Sequence, residues 1–293
     1  MWTEKHRPET FDEVIGNQDI IQQIKSVIGP DMPHMLFTGR AGVGKTTVAK
    51  IIIEQLGVTS LELNASDERG ISTIQGSVKE FAKTQGINSD FKIILLDEAD
   101  SLTKDAQFAL RRIMEIYHRN CKFILTCNNP AKIIEPIKSR CAVFEFQPID
   151  KVSLTGRLHE ILCKEQTSID DDALDFLYKT SGGDFRKILN TLEPLHGQTI
   201  TKEMIKKFLP KNHLKVLKYI LDGDYPGACK TITNDDVLAM VDAIHRMQNL
   251  PAEIKSDAII EIAEYDYRRQ FAVTEEVQLY ALVGKLIKIL SKR

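Results

Sequence analysis

No stretch of this chain approaches the roughly 18 consecutive apolar residues of a membrane-spanning helix, and the N-terminal Met1-Trp2-Thr3-Glu4-Lys5-His6-Arg7-Pro8 is too polar for a signal peptide. A soluble intracellular protein with no membrane partner is expected, nuclear if the source is eukaryotic and cytoplasmic if prokaryotic. Charge of one sign is also scarce. With 39 basic and 41 acidic residues the formal charge is −2, so composition makes no global case for nucleic acid, and any polyanion must be met by charge gathered on one surface. The five cysteines, Cys121, Cys127, Cys141, Cys163 and Cys229, are odd in number and never in C-x-x-C spacing. That argues against a disulfide framework or a zinc site and fits a reducing compartment. What the chain does have is apolar mass: 43% of 293 residues, enough for two or three domains with real cores.

One stretch stands out from that background. Gly39-Arg40-Ala41-Gly42-Val43-Gly44-Lys45-Thr46 completes the pattern G-x-x-x-x-G-K-[ST]. In it, glycines turn consecutive backbone N–H groups around phosphate oxygens, the lysine reaches the β- and γ-oxygens, and the hydroxyl ligates Mg²⁺. The apolar run Met35-Leu36-Phe37-Thr38 before it reads as a strand. Thr47 to Glu54 after it carries the apolar face of a helix whose N-terminus faces the phosphates. The alternative is a glycine-rich turn with no ligand.

In chain order, a polar arm leads into a short helix over Asp19 to Val27, stopped by Gly29-Pro30 and Pro33. After the phosphate loop come a strand at Ser60–Asn64, a helix over Ser72 to Lys83, and a loop marked by Gly86, Asn88 and Ser89. Phe91 to Leu96 alternates too little for a half-solvated strand, which predicts a sheet covered on both faces, as in an α/β domain. That strand ends in Asp97-Glu98, placed for Mg²⁺ coordination and for orienting or deprotonating an attacking water; an acidic pair opening a helix is the bland alternative. A helix over Lys104 to Tyr117 turns Ala106, Leu110, Ile113 and Met114 to one side and exposes Arg111 and Arg112 on another.

A strand at Lys122 to Cys127 runs into Asn128-Asn129-Pro130, where the Asn128 amide either meets a γ-phosphate or serves the turn. Ser139-Arg140-Cys141 precedes a fifth strand, Ala142 to Phe146, and composition alone makes Arg140 an ordinary salt-bridged surface residue. Pro148-Ile149-Asp150 suggests a boundary. Beyond it the chain reads as helical, over Lys151 to Lys164, Asp170 to Thr180 and Phe185 to Leu192, then, past Leu209-Pro210, over His213 to Leu221, Asp235 to Met247, Lys255 to Tyr267 and Glu275 to Leu290. The last is apolar on one face and is expected to pack within or between subunits.

Taken together, Trp2 to Pro8 with Val14-Ile15-Gly16, the string Leu63-Asn64-Ala65-Ser66-Asp67-Glu68-Arg69-Gly70, Leu95 to Asp100 followed by Ala109 to Glu115, Ser139-Arg140-Cys141 and Gly183-Asp184-Phe185-Arg186 resemble, in order, the small ATPase subunits of replication factor C type sliding-clamp loaders, of the AAA+ family. The resemblance implies an α/β P-loop NTPase domain with a parallel sheet over residues 1–150, a helical lid over 151–209 and an all-helical collar over 210–293. It also implies ATP with Mg²⁺: Arg7, Val14 and Ile15 at adenine, Gly39, Gly42, Val43, Gly44, Lys45, Thr46 and Thr47 at the phosphates, and Thr46 and Asp97 on the metal. Glu98 would act on water, Asn128 and Arg186 would be the two phosphate sensors, and Arg140 would be an arginine finger acting on a neighbouring subunit. The implied partners are the other subunits of a five-membered assembly, a ring-shaped clamp met by Leu102 to Glu115, and primer-template DNA met by Lys79, Arg111 or Arg112.

The chain departs from the family in having Arg40-Ala41 and Val43 where prolines and a threonine are usual, His6 in place of a tyrosine, and a shorter collar. Two other readings are a different AAA+ enzyme of DNA metabolism, such as a branch-migration motor or an initiator-loading ATPase, and a subunit that binds ATP without using it. Intact Lys45, Thr46, Asp97 and Glu98 argue against the second.

Overall fold

The computed structural model of the chain describes residues 1–67, 70–84, 91–208, 212–269, 271–272 and 274–291. Glu68 and Arg69 of the resemblance string, the Gly86-Asn88-Ser89 loop and the Leu209-Pro210 break lie outside them. The chain forms two compact units, Met1–Phe208 and Leu209–Arg293.

The first unit is built on five parallel strands, β1 (His34–Thr38), β2 (Ser60–Asn64), β3 (Lys92–Asp97), β4 (Cys121–Cys127) and β5 (Cys141–Glu145), in the order β2-β3-β4-β1-β5. Period-two alternation splits their apolar residues between two cores. Met35, Phe37, Ile93, Leu95 and Ile124 face one way, against α2 (Gln18–Val27) and α3 (Lys45–Leu56). Leu36, Ile94, Leu96, Phe123 and Leu125 face the other way, against α6 (Lys104–Tyr117) and a helical stretch made of α4 (Ile71–Thr73), a π-turn (Ile74–Val78) and α5 (Lys79–Lys83). This is the two-faced coverage that the unalternating Phe91–Leu96 run predicts. Leu110, Ile113 and Met114 of α6 are buried, each contributing roughly 1.5–3 kcal/mol relative to exposure. The ladder Asn64↔Asp97, Leu96↔Leu125, Thr38↔Cys127 sets the carboxyl ends of β1 to β4 along one edge, where ligands meet open parallel sheets.

After β5, α7 (Glu135–Lys138) having preceded it, the unit continues through α8 (Lys151–Lys164), α9 (Asp171–Ser181), α10 (Phe185–Leu192) and α11 (Lys202–Phe208). A two-stranded parallel pair, β6 (Ser168–Ile169) and β7 (Thr199–Ile200), ties them together. The N-terminal arm is less free than its polarity suggests. Trp2–Lys5 forms a helical turn, α1, whose Trp2 is buried edge-on to His6 and His196, while Glu165 of α8's carboxyl end takes both Lys5 and His6 at 2.6 Å.

The second unit consists of α12 (Asn212–Leu221), α13 (Tyr225–Thr231), α14 (Asn234–Arg246), α15 (Ala252–Arg269) and α16 (Glu275–Leu290). The apolar face of α16 is spent inside the unit, with Leu279, Leu282, Val283, Leu286 and Leu290 in its core. The tight Thr231–Asp236 connection is held by Asp236, whose carboxylate accepts from the Thr233 N–H at 2.8 Å and from Asn212 Nδ2 at 3.0 Å.

His34 opens β1 buried, its Nδ1 accepting from the Phe123 N–H at 3.1 Å and its Nε2 facing the Met114 carbonyl at 3.4 Å. Burial, with Lys122 and His118 adding to it, takes its pKa from 6.5 down to about 4. Because the folded value lies below the unfolded one, the neutral ring's stability is complete above pH 6.5 and is lost as pH falls toward 4, a span worth roughly 3 kcal/mol. Urea unfolding of the parent and His34→Gln across that window is expected to show the parent losing about that much more. Parallel profiles would contradict the assignment.

Candidate functional site

The loop after β1 takes its shape from glycine. Gly39, Gly42 and Gly44 have φ of +140°, +74° and +97°, a region L-residues avoid. Two of them are also tightly walled: a Cβ on Gly39 would lie 2.4 Å from the Phe146 carbonyl oxygen, and one on Gly42 would lie 1.9 Å from Asp184 Oδ1. Asp184 caps α10 by accepting from the Lys187 N–H at 3.0 Å, so the residue that starts α10 also presses on the phosphate loop. The helix α3 behind the loop has Gly44 at its N-cap and no side-chain cap, whereas α6, α8 and α10 are capped by Thr103, Asp150 and Asp184. Its first N–H groups and dipole are thereby left to an anion.

Lys45 is only 7% exposed. Its Nζ donates to the carbonyls of Gly39 and Arg40, both at 2.7 Å, and to Asn128 Oδ1 at 2.9 Å. Three neutral oxygens satisfy its donors without neutralising its charge. Burial holds the ammonium below the ordinary lysine value and the Arg186 guanidinium pushes the same way, while Asp97 and Asp100 oppose them. A polyphosphate would supply the charge balance that carbonyls cannot.

At the carboxyl end of β3, Asp97 Oδ1 accepts from Thr46 Oγ1 at 2.8 Å and Thr126 Oγ1 at 2.5 Å. This hard-oxygen set of carboxylate and hydroxyls fits Mg²⁺, which prefers oxygen donors and keeps much of its water. Glu98 follows with a left-handed backbone, φ +54°, fixed by its N–H donating to Thr126 Oγ1 at 3.1 Å. A non-glycine residue in that region is uncommon, and here the turn sets Glu98 in the cavity wall. The Asn128 loop is pinned from below by Asp100, which accepts from the Asn129 N–H at 3.0 Å. The Cys127 thiol beside it is pushed up to about 12 by burial and stays protonated.

One cavity gathers most of the residues named from sequence. Arg7, Val14, Ile15, Gly42, Val43, Gly44, Lys45, Thr46, Thr47, Asp97, Glu98, Asn128 and Arg186 all line it, and Gly39 contributes the carbonyl that takes Lys45. Arg140, Lys79, Arg111 and Arg112 are elsewhere. Arg140 is bound to its own protomer: Nη1 donates to the Pro136 carbonyl at 2.7 Å and Nη2 meets Glu115 Oε1 at 2.5 Å. Lys79 and Arg112 are exposed. Arg111 corrects the expectation of a fully solvated face: it is half-buried, with Nε 3.7 Å from the same Glu115 oxygen and no hydrogen-bond acceptor.

Sequence reading missed Thr126, which links Asp97 to Glu98, and Asp100, which holds the Asn128 loop; both sit within motifs read for their neighbours. It also missed Ile149, Phe185 and Leu189, and Arg157 of α8, which line the same cavity. The phenylalanine adjoins a quoted motif, whereas Arg157 is one arginine on an amphipathic helix and carries no local signal.

Among the described residues, no cluster of histidine, cysteine and acidic side chains forms a separate metal site, and no helix is long and apolar enough to cross a membrane. Residues 35–149 match the ATPase family associated with various cellular activities (AAA). Over essentially its whole length the chain is similar to the replication factor C small subunits of Archaeoglobus fulgidus (38% identity, 100% of this chain and 98% of that one), Sulfurisphaera tokodaii (39%, 98% and 94%) and Methanococcus maripaludis (40%, 97% and 98%). Among solved structures it resembles the Thermotoga maritima RuvB Holliday junction branch migration motor, with 18% identity, a TM-score of 0.59 and coverage of 73% and 79%. A point variant of that protein gives 0.61 over 80% and 87%, at 18% identity. At that identity the likeness is one of fold.

Proposed function

The chain belongs to the replication factor C small-subunit family of AAA ATPases, and from that premise we propose that it is an ATP-hydrolysing subunit of a sliding-clamp loader. The observation that carries the reading is the convergence of Lys45, the Thr46–Asp97 pair, Glu98, Asn128 and Arg186 around one cavity at the carboxyl edge of the sheet. ATP lies with its base toward Val14 and Ile15 and its phosphates on the loop and the α3 N-terminus. Lys45 and Arg186 balance phosphate charge, and Asn128, already bonded to Lys45, orients with it toward the γ-phosphate. Mg²⁺, held by Thr46 and Asp97, would neutralise charge on the β- and γ-oxygens. Glu98 orients and deprotonates the water that attacks γ-phosphorus, with ADP leaving.

Arg140, which is outside its own chain's cavity, supplies the missing cation to a neighbour's site in a five-subunit assembly. A cation delivered only by correct assembly stabilises charge developing in the transition state and makes hydrolysis report oligomeric geometry. The ATP-bound assembly holds a ring-shaped clamp open, partly through Leu102 to Glu115, and admits primer-template DNA; hydrolysis then releases the clamp on the duplex. The chain, its partner subunits and a clamp are expected to retain the clamp on primed DNA with ATP and not without it. ATP-independent retention, or turnover indifferent to clamp and DNA, would contradict the proposal.

DNA binding is assigned to the phosphates, with Arg111, Arg112 and Lys79 as the groups that meet them. Replacing Arg111 and Arg112 together with alanine is expected to weaken junction binding about equally for unrelated sequences. The salt slope should fall by roughly one for each phosphate no longer neutralised. Isotherms at several salt concentrations check this, and an unchanged slope in an intact assembly would make these arginines structural.

A further inference from the structure

The carboxyl end of β4 buries a hydroxyl that its place in the strand does not require. Phe123, Ile124 and Leu125 are buried and apolar, and Thr126, only 1% exposed, follows them. Its β-branch suits a strand, yet valine has nearly the same shape and no polar atom to bury. The register Leu96↔Leu125 sets Thr126 level with Asp97 on the adjoining strand.

The roles of that hydroxyl follow from its partners. An amide N–H can only donate, so the 3.1 Å bond from Glu98 makes Thr126 Oγ1 an acceptor there and leaves its one proton for Asp97 Oδ1 at 2.5 Å. One side chain thereby holds both acids, by different handles. Asp97 is held by its carboxylate, on the oxygen that also takes Thr46 at 2.8 Å. Glu98 is held by its backbone at φ +54°, a conformation that a residue with a side chain keeps only when its surroundings impose it. The tie is returned from the same turn, where Asp100 accepts from the Asn129 N–H at 3.0 Å.

We propose that Thr126 is a positioning residue for hydrolysis, its hydroxyl aiming Glu98 through the backbone that carries it and Asp97 through its carboxylate. The inference rests on the cavity being the ATP site and on Glu98 acting on water. Thr126 touches no reacting atom itself. Its contribution is preorganisation, since a displacement of about 1 Å at a reacting group can cost about 100-fold in rate.

The test uses the full-length chain assembled with its partner subunits. Thr126→Val keeps the β-branch and removes the hydroxyl, whereas Thr126→Ser keeps the hydroxyl. At saturating Mg²⁺ and ATP, Thr126→Val is expected to lower single-turnover hydrolysis about 10- to 100-fold with Mg²⁺-free ATP affinity unchanged, and serine to hold the rate within about threefold of the parent. Two readouts stand apart from the reaction. In Thr126→Val, the Mg²⁺ concentration for half-maximal ADP binding should rise about tenfold, and exchange of the Glu98 amide proton should quicken about tenfold; serine should restore both. In a Glu98→Gln background, Thr126→Val should remove little further turnover, because the group it aims is already gone. A hydroxyl that only stabilises the strand would multiply its full loss onto that of Glu98→Gln. Such a full loss, a Thr126→Val rate within about threefold of the parent, unshifted Mg²⁺ dependence and amide exchange, or failure of serine to restore the rate would each overturn the proposal. A parent-like rate in Glu98→Gln itself would instead overturn the reading of Glu98, and the proposal with it.

Discussion

Glu98→Gln is expected to bind ATP as tightly as the parent and to turn it over about 10²- to 10⁴-fold more slowly, the range assigned to a positioned general base. Nothing in the geometry around the substitution need move. The left-handed backbone at Glu98 is fixed by the N–H bond to Thr126 Oγ1, which glutamine retains. The Thr46–Asp97 pair is a separate hydrogen bond on a different carboxylate. What is lost is the one group able to take a proton from water. Lys45→Ala should behave in the opposite way, losing nucleotide affinity first, because its ammonium is the buried charge that the phosphates are asked to balance. Equilibrium titration paired with single-turnover hydrolysis separates the two, and unchanged turnover in Glu98→Gln would remove that residue from the chemistry.

Arg140→Ala is expected to lower hydrolysis by roughly 10³-fold or more in the assembled protein while leaving nucleotide affinity and folding nearly intact. Its bonds are to the Pro136 carbonyl and to Glu115, a half-exposed carboxylate, and neither lines the cavity. Losing such a pair costs under about 1 kcal/mol. A plain surface arginine would change hydrolysis little and stability by under about 0.5 kcal/mol. Steady-state turnover of the uniform mutant assembly, with thermal unfolding alongside, distinguishes a catalytic loss from a folding loss.

How much of the molecule is legible in its sequence varies with how local the determinants are. The phosphate loop, the Asp97-Glu98 strand end and helices α6, α8, α10 and α16 are readable because pattern and caps sit within a few residues of one another; the structure returns those four helices at the residues expected. Strands β3, β4 and β5 begin within one residue of expectation, since their ends are set by pairing with neighbours rather than by their own sequence. Helix α13 escapes sequence reading because Pro226 and Gly227 look like breakers. In fact the proline occupies the first turn, where it is tolerated, and Asp224 accepts from the Gly227 N–H at 2.9 Å. The β6–β7 pair is two residues long on each side, too short for any period to show. Helix α11 and the helical turn at Trp2, seven and four residues long, are also too short to declare themselves. At the site, residues that act through space are invisible in the sequence: Asp184 against Gly42, Asp100 under Asn129, and Arg157, which reaches the cavity wall from α8.

The central claim is that an ATP site is completed by a neighbour's Arg140. It is tested most directly by single-turnover hydrolysis in a mixed assembly of defined subunit order, with one subunit carrying Arg140→Ala and each site read separately. The loss should fall on the neighbour that Arg140 faces, while the mutated subunit's own site, still served by its other neighbour, keeps its rate. Loss confined to the mutated subunit's own site, or no loss in an assembly shown to be intact, would contradict it.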